Sequence, residues 1–268
     1  MKLAFDNEII TNSVTIYTGV PQGSPVSPIL FLIYANQLFK CNAYLSIRIN
    51  SYVDNIGIQT SSRSTYENCK ILQNAAEKLV KWGQNNHIEF DMKKTELIHF
   101  DHANRSLNES IKIKEFIIKP KEVVKWLGIW FDRKLSFKIH VENRIASASR
   151  MFYTIKRLAN TEKGLSFQAM RKLYIACITS IANYEVSIWW KNQVFLLDKF
   201  KKLQNQALRR MLEAFKNSPI TTMKIEAGIL PVSIRFKKIC KNYALRILKM
   251  QENHLIKLRI SANSSFFN

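Results

Sequence analysis

Three stretches of the 268-residue chain carry side chains whose types and spacing could do chemistry. The first is S-Y-V-D-N at residues 51–55, where Asp54 and Asn55 separate two alternating apolar runs, Leu45, Ile47, Ile49 and Ile56, Ile58. Asp and Asn tolerate turn conformations, so the pattern predicts a hairpin with the Asp54 carboxylate projecting from its tip. The same dipeptide also serves as an ordinary turn. The second is G-V-P-Q-G-S-P at residues 19–25. Its glycines let backbone approach a ligand or adopt positive φ, and Ser24-Pro25 suits a helix start. An ordinary strand–turn–helix would read the same way. The third is H-F-D-H at residues 99–102, three potential metal ligands without the i,i+4 spacing of a helical site. It reads as a strand end.

Charge separates the chain into two parts. Its net formal charge is +21. Residues 1–132 hold 15 Lys+Arg against 13 Asp+Glu, whereas residues 133–268 hold 26 against 7. A net +19 confined to one half points to a polyanion partner, most simply nucleic acid. The apolar content of 47% excludes a disordered chain. No apolar run is long enough to span a membrane, and Asp6 and Glu8 interrupt any signal-peptide core, so an intracellular protein, nuclear or cytoplasmic and not secreted, is expected. Cys41, Cys69, Cys177 and Cys240 are widely spaced and read as reduced core residues.

The elements that must position these residues follow from periodicity. Strands are expected at 2–5 and 14–17, joined across a polar segment, and a buried helix from Ser24 to Phe39. The hairpin around Asp54 follows, then a helix over 64–83 with a capping box, Ser64 to Glu67. Strands are expected at 95–100, 111–118 and 123–131, with Gly128 marking a close backbone approach. From Ser136 the period is helical: 136–158, a Ser166-capped helix to about 190, about 195–215, a short piece between Pro219 and Pro231, and 232–253. Residues 259–268 read as a loose tail. The change from neutral, mixed structure to basic helices places a domain boundary at about 132/133, and the fold class is α+β.

Taken together, G-V-P-Q-G-S-P, Y-V-D-N, K-T-E-L-I-H-F (94–100) and K-W-L-G-I-W-F-D (125–132) occur in the order and spacing of reverse transcriptases of non-LTR retrotransposons. The chain resembles that RNA-directed DNA polymerase family over nearly its whole length. Two later segments, R-K-L-Y-I-A-C-I-T-S-I-A-N-Y (171–184) and Y-A-L-R-I-L-K-M-Q-E-N-H (243–254), resemble the region after the polymerase in fungal-type elements.

The resemblance implies a partial polymerase palm over 1–132 and a helical thumb and connection over 133–258. Pro21, Gln22, Gly23, Ser24 and Tyr52 would contact template and incoming nucleotide. Asp54, beside Asn55, would ligate Mg2+, for which Mn2+ can substitute, and Lys94 would protonate the leaving pyrophosphate. Trp126, Leu127, Gly128 and Trp130 would form the primer grip. Lys199, Lys201, Lys202, Arg209 and Arg210 would hold nucleic-acid phosphates. The implied partners are an RNA template, a DNA primer or RNA/DNA duplex, and deoxynucleoside triphosphates, with no membrane. Two departures from the family pattern weaken metal binding: Asn55 stands where a second Asp is usual, and the first catalytic strand and fingers are expected to be missing. A fragment inactive by itself is expected. The alternatives are a non-catalytic RNA- or DNA-binding module, and one part of a split polymerase completed by another chain.

Overall fold

The computed structural model describes residues 4–5, 8–9, 23–40, 47–101, 107–158, 164–254, 256–258 and 260. It divides into two compact units, Met1–Glu122 and Val123–Asn268. The mixed helix and strand content is that of an α+β chain. Among the described residues the sheets are four separate antiparallel hairpins.

In the first unit, β1 (Ala4–Phe5) pairs with β2 (Glu8–Ile9). The strand expected at 14–17 lies outside the described residues. Helix α1 (Ser27–Lys40) starts three residues after Ser24, whose hydroxyl accepts from the Val26 N–H at 3.3 Å. The expectation of a buried helix is overturned. Ala35 and Leu38 are buried, but Ile29, Leu30, Leu32, Ile33, Tyr34 and Phe39 are exposed. An all-round apolar sequence has apolar side chains to spare once one narrow stripe is packed.

Strands β3 (Ile47–Tyr52) and β4 (Asn55–Thr60) form the longest hairpin, in register from Ile47↔Thr60 to Tyr52↔Asn55. Helix α2 (Thr65–Asn85) packs on both sides. Cys69, Ala76 and Val80 meet Leu97, Ile111, Ile113 and Ile118, while Leu79 and Trp82 meet Leu38, Ile49, Ile56 and Phe90. No Ser64 side-chain cap forms; Ser64 instead exchanges hydrogen bonds with the Ser62 hydroxyl. Gly83 is needed where the following chain folds back. A Cβ there would stand 2.6 Å from the Ile88 carbonyl oxygen and 2.8 Å from the Phe90 ring.

The expected strand at 95–100 is reduced to one parallel bridge, Leu97↔Pro120, reinforced by Lys121 N–H donating to Leu97 O at 2.8 Å. The segment 111–118 is not one strand but a hairpin, β5 (Ile111–Ile113) with β6 (Phe116–Ile118), turning at Lys114 with φ +54°. Likewise 123–131 is the hairpin β7 (Val123–Trp126) with β8 (Ile129–Asp132). Alternation continues through a two-residue turn, so a hairpin of this kind reads as one strand.

The second unit joins β7–β8 to helices. Helix α3 (Lys138–Lys156) has Phe137 at its cap position; the Ser136 hydroxyl accepts from Lys138 N–H at 3.4 Å, and just ahead of the helix the Asp132 carboxylate accepts from Ser136 N–H at 2.9 Å and Phe137 N–H at 2.7 Å. Burial opposes the charge on that carboxyl, but these bonds outweigh it and hold its pKa below the usual value. Ser166 caps α4 (Phe167–Leu173), as its position predicts. The single helix expected to follow is broken into a π-helical stretch (Tyr174–Thr179), α5 (Ser180–Ala182), a turn, and α6 (Val186–Trp189). The Thr179 and Ser180 hydroxyls donate back to Ile175 O and Ala176 O, which perturbs the ladder there. Helices α7 (Val194–Met211), α8 (Ile220–Glu226) and α9 (Val232–Leu248) complete the unit.

Its core centres on Trp189. The indole stacks on Phe200 at 5.7 Å and meets Phe236 edge-on at 5.5 Å, while its N–H donates to Tyr184 O at 3.0 Å. Such a cluster fixes α6, α7 and α9 together. Cys69 is buried; Cys177 and Cys240 are half-buried. All three are free, and Cys41 lies outside the described residues.

Candidate nucleic-acid interface

The β3–β4 hairpin places Asp54 as the sequence requires. Val53 and Asp54 form the two-residue tip, both exposed. Val53 adopts φ +53°, a conformation a β-branched residue rarely accepts. The Asn55 amide donates to Asp54 Oδ1 at 3.3 Å, so its N–H2 group faces the carboxylate. Tyr52, paired with Asn55, is also exposed. Tyr52, Val53, Asp54 and Asn55 are thus all exposed at this end of the hairpin.

Gly23 has φ +87° and open space where a side chain would be, consistent with a turn that leaves backbone accessible. Ser24 follows it. Pro21 and Gln22 lie outside the described residues. Lys94 ends a short 3-10 turn (Met92–Lys94) and pairs with Asp91 at 3.0 Å. The Lys94 hydrogen bond and charge, with further bonds from the Lys93 and Lys94 N–H groups, hold Asp91 below its usual pKa. His99 is no metal ligand in kind: it is buried, its Nε2 lies 2.8 Å from Glu109 O, and Cys69 Sγ is 4.0 Å away. His102 is outside the described residues.

In the second unit, the W-L-G-I-W segment is the tip of β7–β8. Leu127 (φ +47°) and Gly128 (φ +81°) make the turn. Gly128 does mark a close approach, though to a side chain rather than to another backbone. A Cβ there would sit 3.1 Å from the Tyr184 ring, whose hydroxyl donates to Leu127 O at 2.8 Å. Arg144 lies over the other partner of this contact, 5.2 Å from the Tyr184 ring centroid. Trp130 N–H donates to Nδ1 of the fully buried His140, and Lys125 lies 5.5 Å from the Trp130 ring. The turn is thus held from behind by α3 and by the 183–185 turn, leaving Trp126 and Trp130 half-buried.

Of the expected phosphate contacts, Lys199 is paired with Glu142 at 2.6 Å and Lys201 with Asp198 at 2.9 Å, both at the surface. Such pairs are weak and exchange readily. Lys202 is exposed. Arg209 and Arg210 instead line an open cavity of about 580 Å3 shared with the end of α3. Sequence reading missed Tyr184, Arg144 and His140, and it missed Tyr153 and Lys156 in that cavity. Each acts through an element distant in sequence, so no local pattern reveals it.

The described residues do not fit a two-metal site. They contain no group of three or more His, Cys, Asp or Glu placed to hold an ion, and at the hairpin Asp54 has only the Asn55 amide beside it. Two divalent cations need carboxylate oxygens between them.

Comparison with known proteins relates the chain to others of similar sequence. Residues 3–131 match the family "Reverse transcriptase (RNA-dependent DNA polymerase)". The chain is 24% identical over 235 residues to "Probable RNA-directed DNA polymerase from transposon BS" of Drosophila melanogaster, covering 85% of this chain and 26% of that protein. It is 24% identical over 202 residues to "RNA-directed DNA polymerase from mobile element jockey" of the same species, covering 73% and 22%. A third relative, "Retrovirus-related Pol polyprotein from type-1 retrotransposable element R1 2" of Nasonia vitripennis, is 21% identical over 249 residues, covering 89% and 60%. The chain spans about a quarter of the length of the first two relatives. No solved structure matches it. No helix among the described residues is long and apolar enough to cross a membrane.

Proposed function

We propose that the chain is the palm and thumb portion of a non-LTR retrotransposon reverse transcriptase. It binds an RNA template paired with a DNA primer. The observation that carries this reading is the hairpin 47–60, with Asp54 at its exposed tip, inside the matched region 3–131. Asp54, Asn55 and Tyr52 present the face toward primer terminus and nucleotide. Gly23 and Ser24, with Pro21 and Gln22, border the template, and Lys94 serves the leaving phosphates. Trp126, Leu127, Gly128 and Trp130 form the grip on the primer. The family's fungal type is suggested by segments 171–184 and 243–254, although the relatives named above are insect elements.

Nucleotidyl transfer needs a second carboxylate that the described hairpin does not contain. The isolated chain therefore holds template and primer without extending them. The experiment is primer extension by the purified chain on an RNA template with deoxynucleoside triphosphates and Mg2+ or Mn2+. The expected result is binding without incorporation. Templated incorporation that Asp54→Ala abolishes would overturn it.

A second reading, a non-catalytic binding module, is favoured by the charge of residues 133–268, 26 basic against 7 acidic. It predicts nucleic-acid affinity that Asp54→Ala leaves unchanged and that falls steeply with salt.

A further inference from the structure

The cavity between the C-terminal ends of α3 and α7 goes beyond a generally basic surface. Lys156, Arg209 and Arg210 surround it with a single carboxylate, Glu213. Basic residues in a last helical turn ordinarily offset the helix dipole. That role does not need three cations around one opening. Ammonium and guanidinium groups are the donors that phosphate oxygens match best. Beside the cations stand two rings 5.6 Å apart: Phe152, which is buried, and Tyr153, which is exposed. The volume of about 580 Å3 suits a nucleotide-sized occupant.

We propose that this cavity is a subsite for a single-stranded segment of nucleic acid. Lys156, Arg209 and Arg210 take a backbone phosphate, and an unpaired base stacks on Tyr153. A paired base in a duplex has no free face to offer a ring, which favours the single strand. The proposal rests on the nucleic-acid reading above and deepens it. Glu213 tempers the site. It sits just past α7 with φ +51°, where glycine is favoured, and places a negative charge at the cavity rim.

The test is fluorescence anisotropy with a labelled oligouridylate of about 12 nucleotides, titrated across salt concentrations. Lys156→Gln with Arg209→Gln is expected to weaken binding at least about tenfold and to lower the log K against log salt slope by about 1.4. Lys156→Glu, at an exposed position, gives the same direction should the double variant fold poorly by circular dichroism. Tyr153→Leu is expected to weaken binding about fivefold or more without changing the slope. Glu213→Gly tightens binding and does not lower the melting temperature.

If the chain binds the oligomer but Lys156→Glu and the double variant leave affinity and slope unchanged, the cavity assignment is overturned and the nucleic-acid reading stands. An intact chain that binds no RNA overturns both. A free nucleoside triphosphate that displaces the oligomer at equal affinity assigns the cavity to a small anion, which overturns the polynucleotide assignment.

Discussion

The Tyr184 phenol donates to the Leu127 carbonyl at 2.8 Å while its ring closes against Gly128, the next residue of the same turn. The pair joins the β7–β8 tip to the turn that precedes α6. Gly128 is required twice over, by φ +81° and by the ring 3.1 Å from its missing Cβ. Gly128→Ala is expected to destabilise the chain by about 1–3 kcal/mol, since left-handed backbone and overpacking both oppose a side chain there. Tyr184→Phe keeps the ring and removes one hydrogen bond, a loss of about 1 kcal/mol. Urea unfolding of both variants checks the order. Equal losses would mean that the ring contact is unimportant.

The Asp54 hairpin is strained one residue earlier. Val53 holds φ +53° in a two-residue turn, a position that Asn or Gly fills with little strain. Val53→Gly is expected to stabilise or leave unchanged the folded chain, within about 1 kcal/mol, because the relief of strain is offset by a more flexible unfolded state. Strain at an exposed tip persists where it serves a site. The variant should therefore lose nucleic-acid affinity or altered primer placement should appear in footprinting, although the melting temperature does not fall. A variant equal to the parent in both respects would show that Val53 is only a turn residue.

Local pattern made much of this chain legible. Alternation about Asp54 located β3 and β4, Ser166 capped its helix, and Pro219 and Pro231 bracketed α8, because each depends on neighbours within a few residues. Two turns were hidden. Lys114 and Leu127 each take positive φ without being Gly, Asn or Asp, so the hairpins at 111–118 and 123–132 looked like single strands. The apolar sequence of α1 signalled burial, yet most of that helix is exposed, because composition reports what a face could pack against and not what it meets. The candidate site divides the same way. Asp54 and Gly128 announced themselves by local chemistry. Tyr184 and Arg144 became visible only when segments more than fifty and more than ten residues away in the chain closed on the β7–β8 tip.

His140 gives the second unit a pH dependence whose sign is fixed by its surroundings. Burial foremost, and the charge of Arg144 next, lower its pKa from 6.5 to about 4. Its Nδ1 accepts from the Trp130 N–H, which only the neutral ring can do. Between pH 4 and 6.5 the unfolded chain binds a proton at this position that the folded chain refuses. Stability is therefore full above about pH 6.5 and falls as pH drops toward 4, by at most about 3 kcal/mol for a shift of this size. Asp132 acts in a separate window, because its lowered pKa withdraws stability only below its ordinary value of 3.8. Urea unfolding at intervals from pH 4.5 to 7.5 should show the decline in the parent chain. His140→Gln retains a polar side chain that cannot titrate, and it should flatten the profile across that range while lowering stability at pH 7. A His140→Gln profile as steep as the parent's would assign the dependence to other groups.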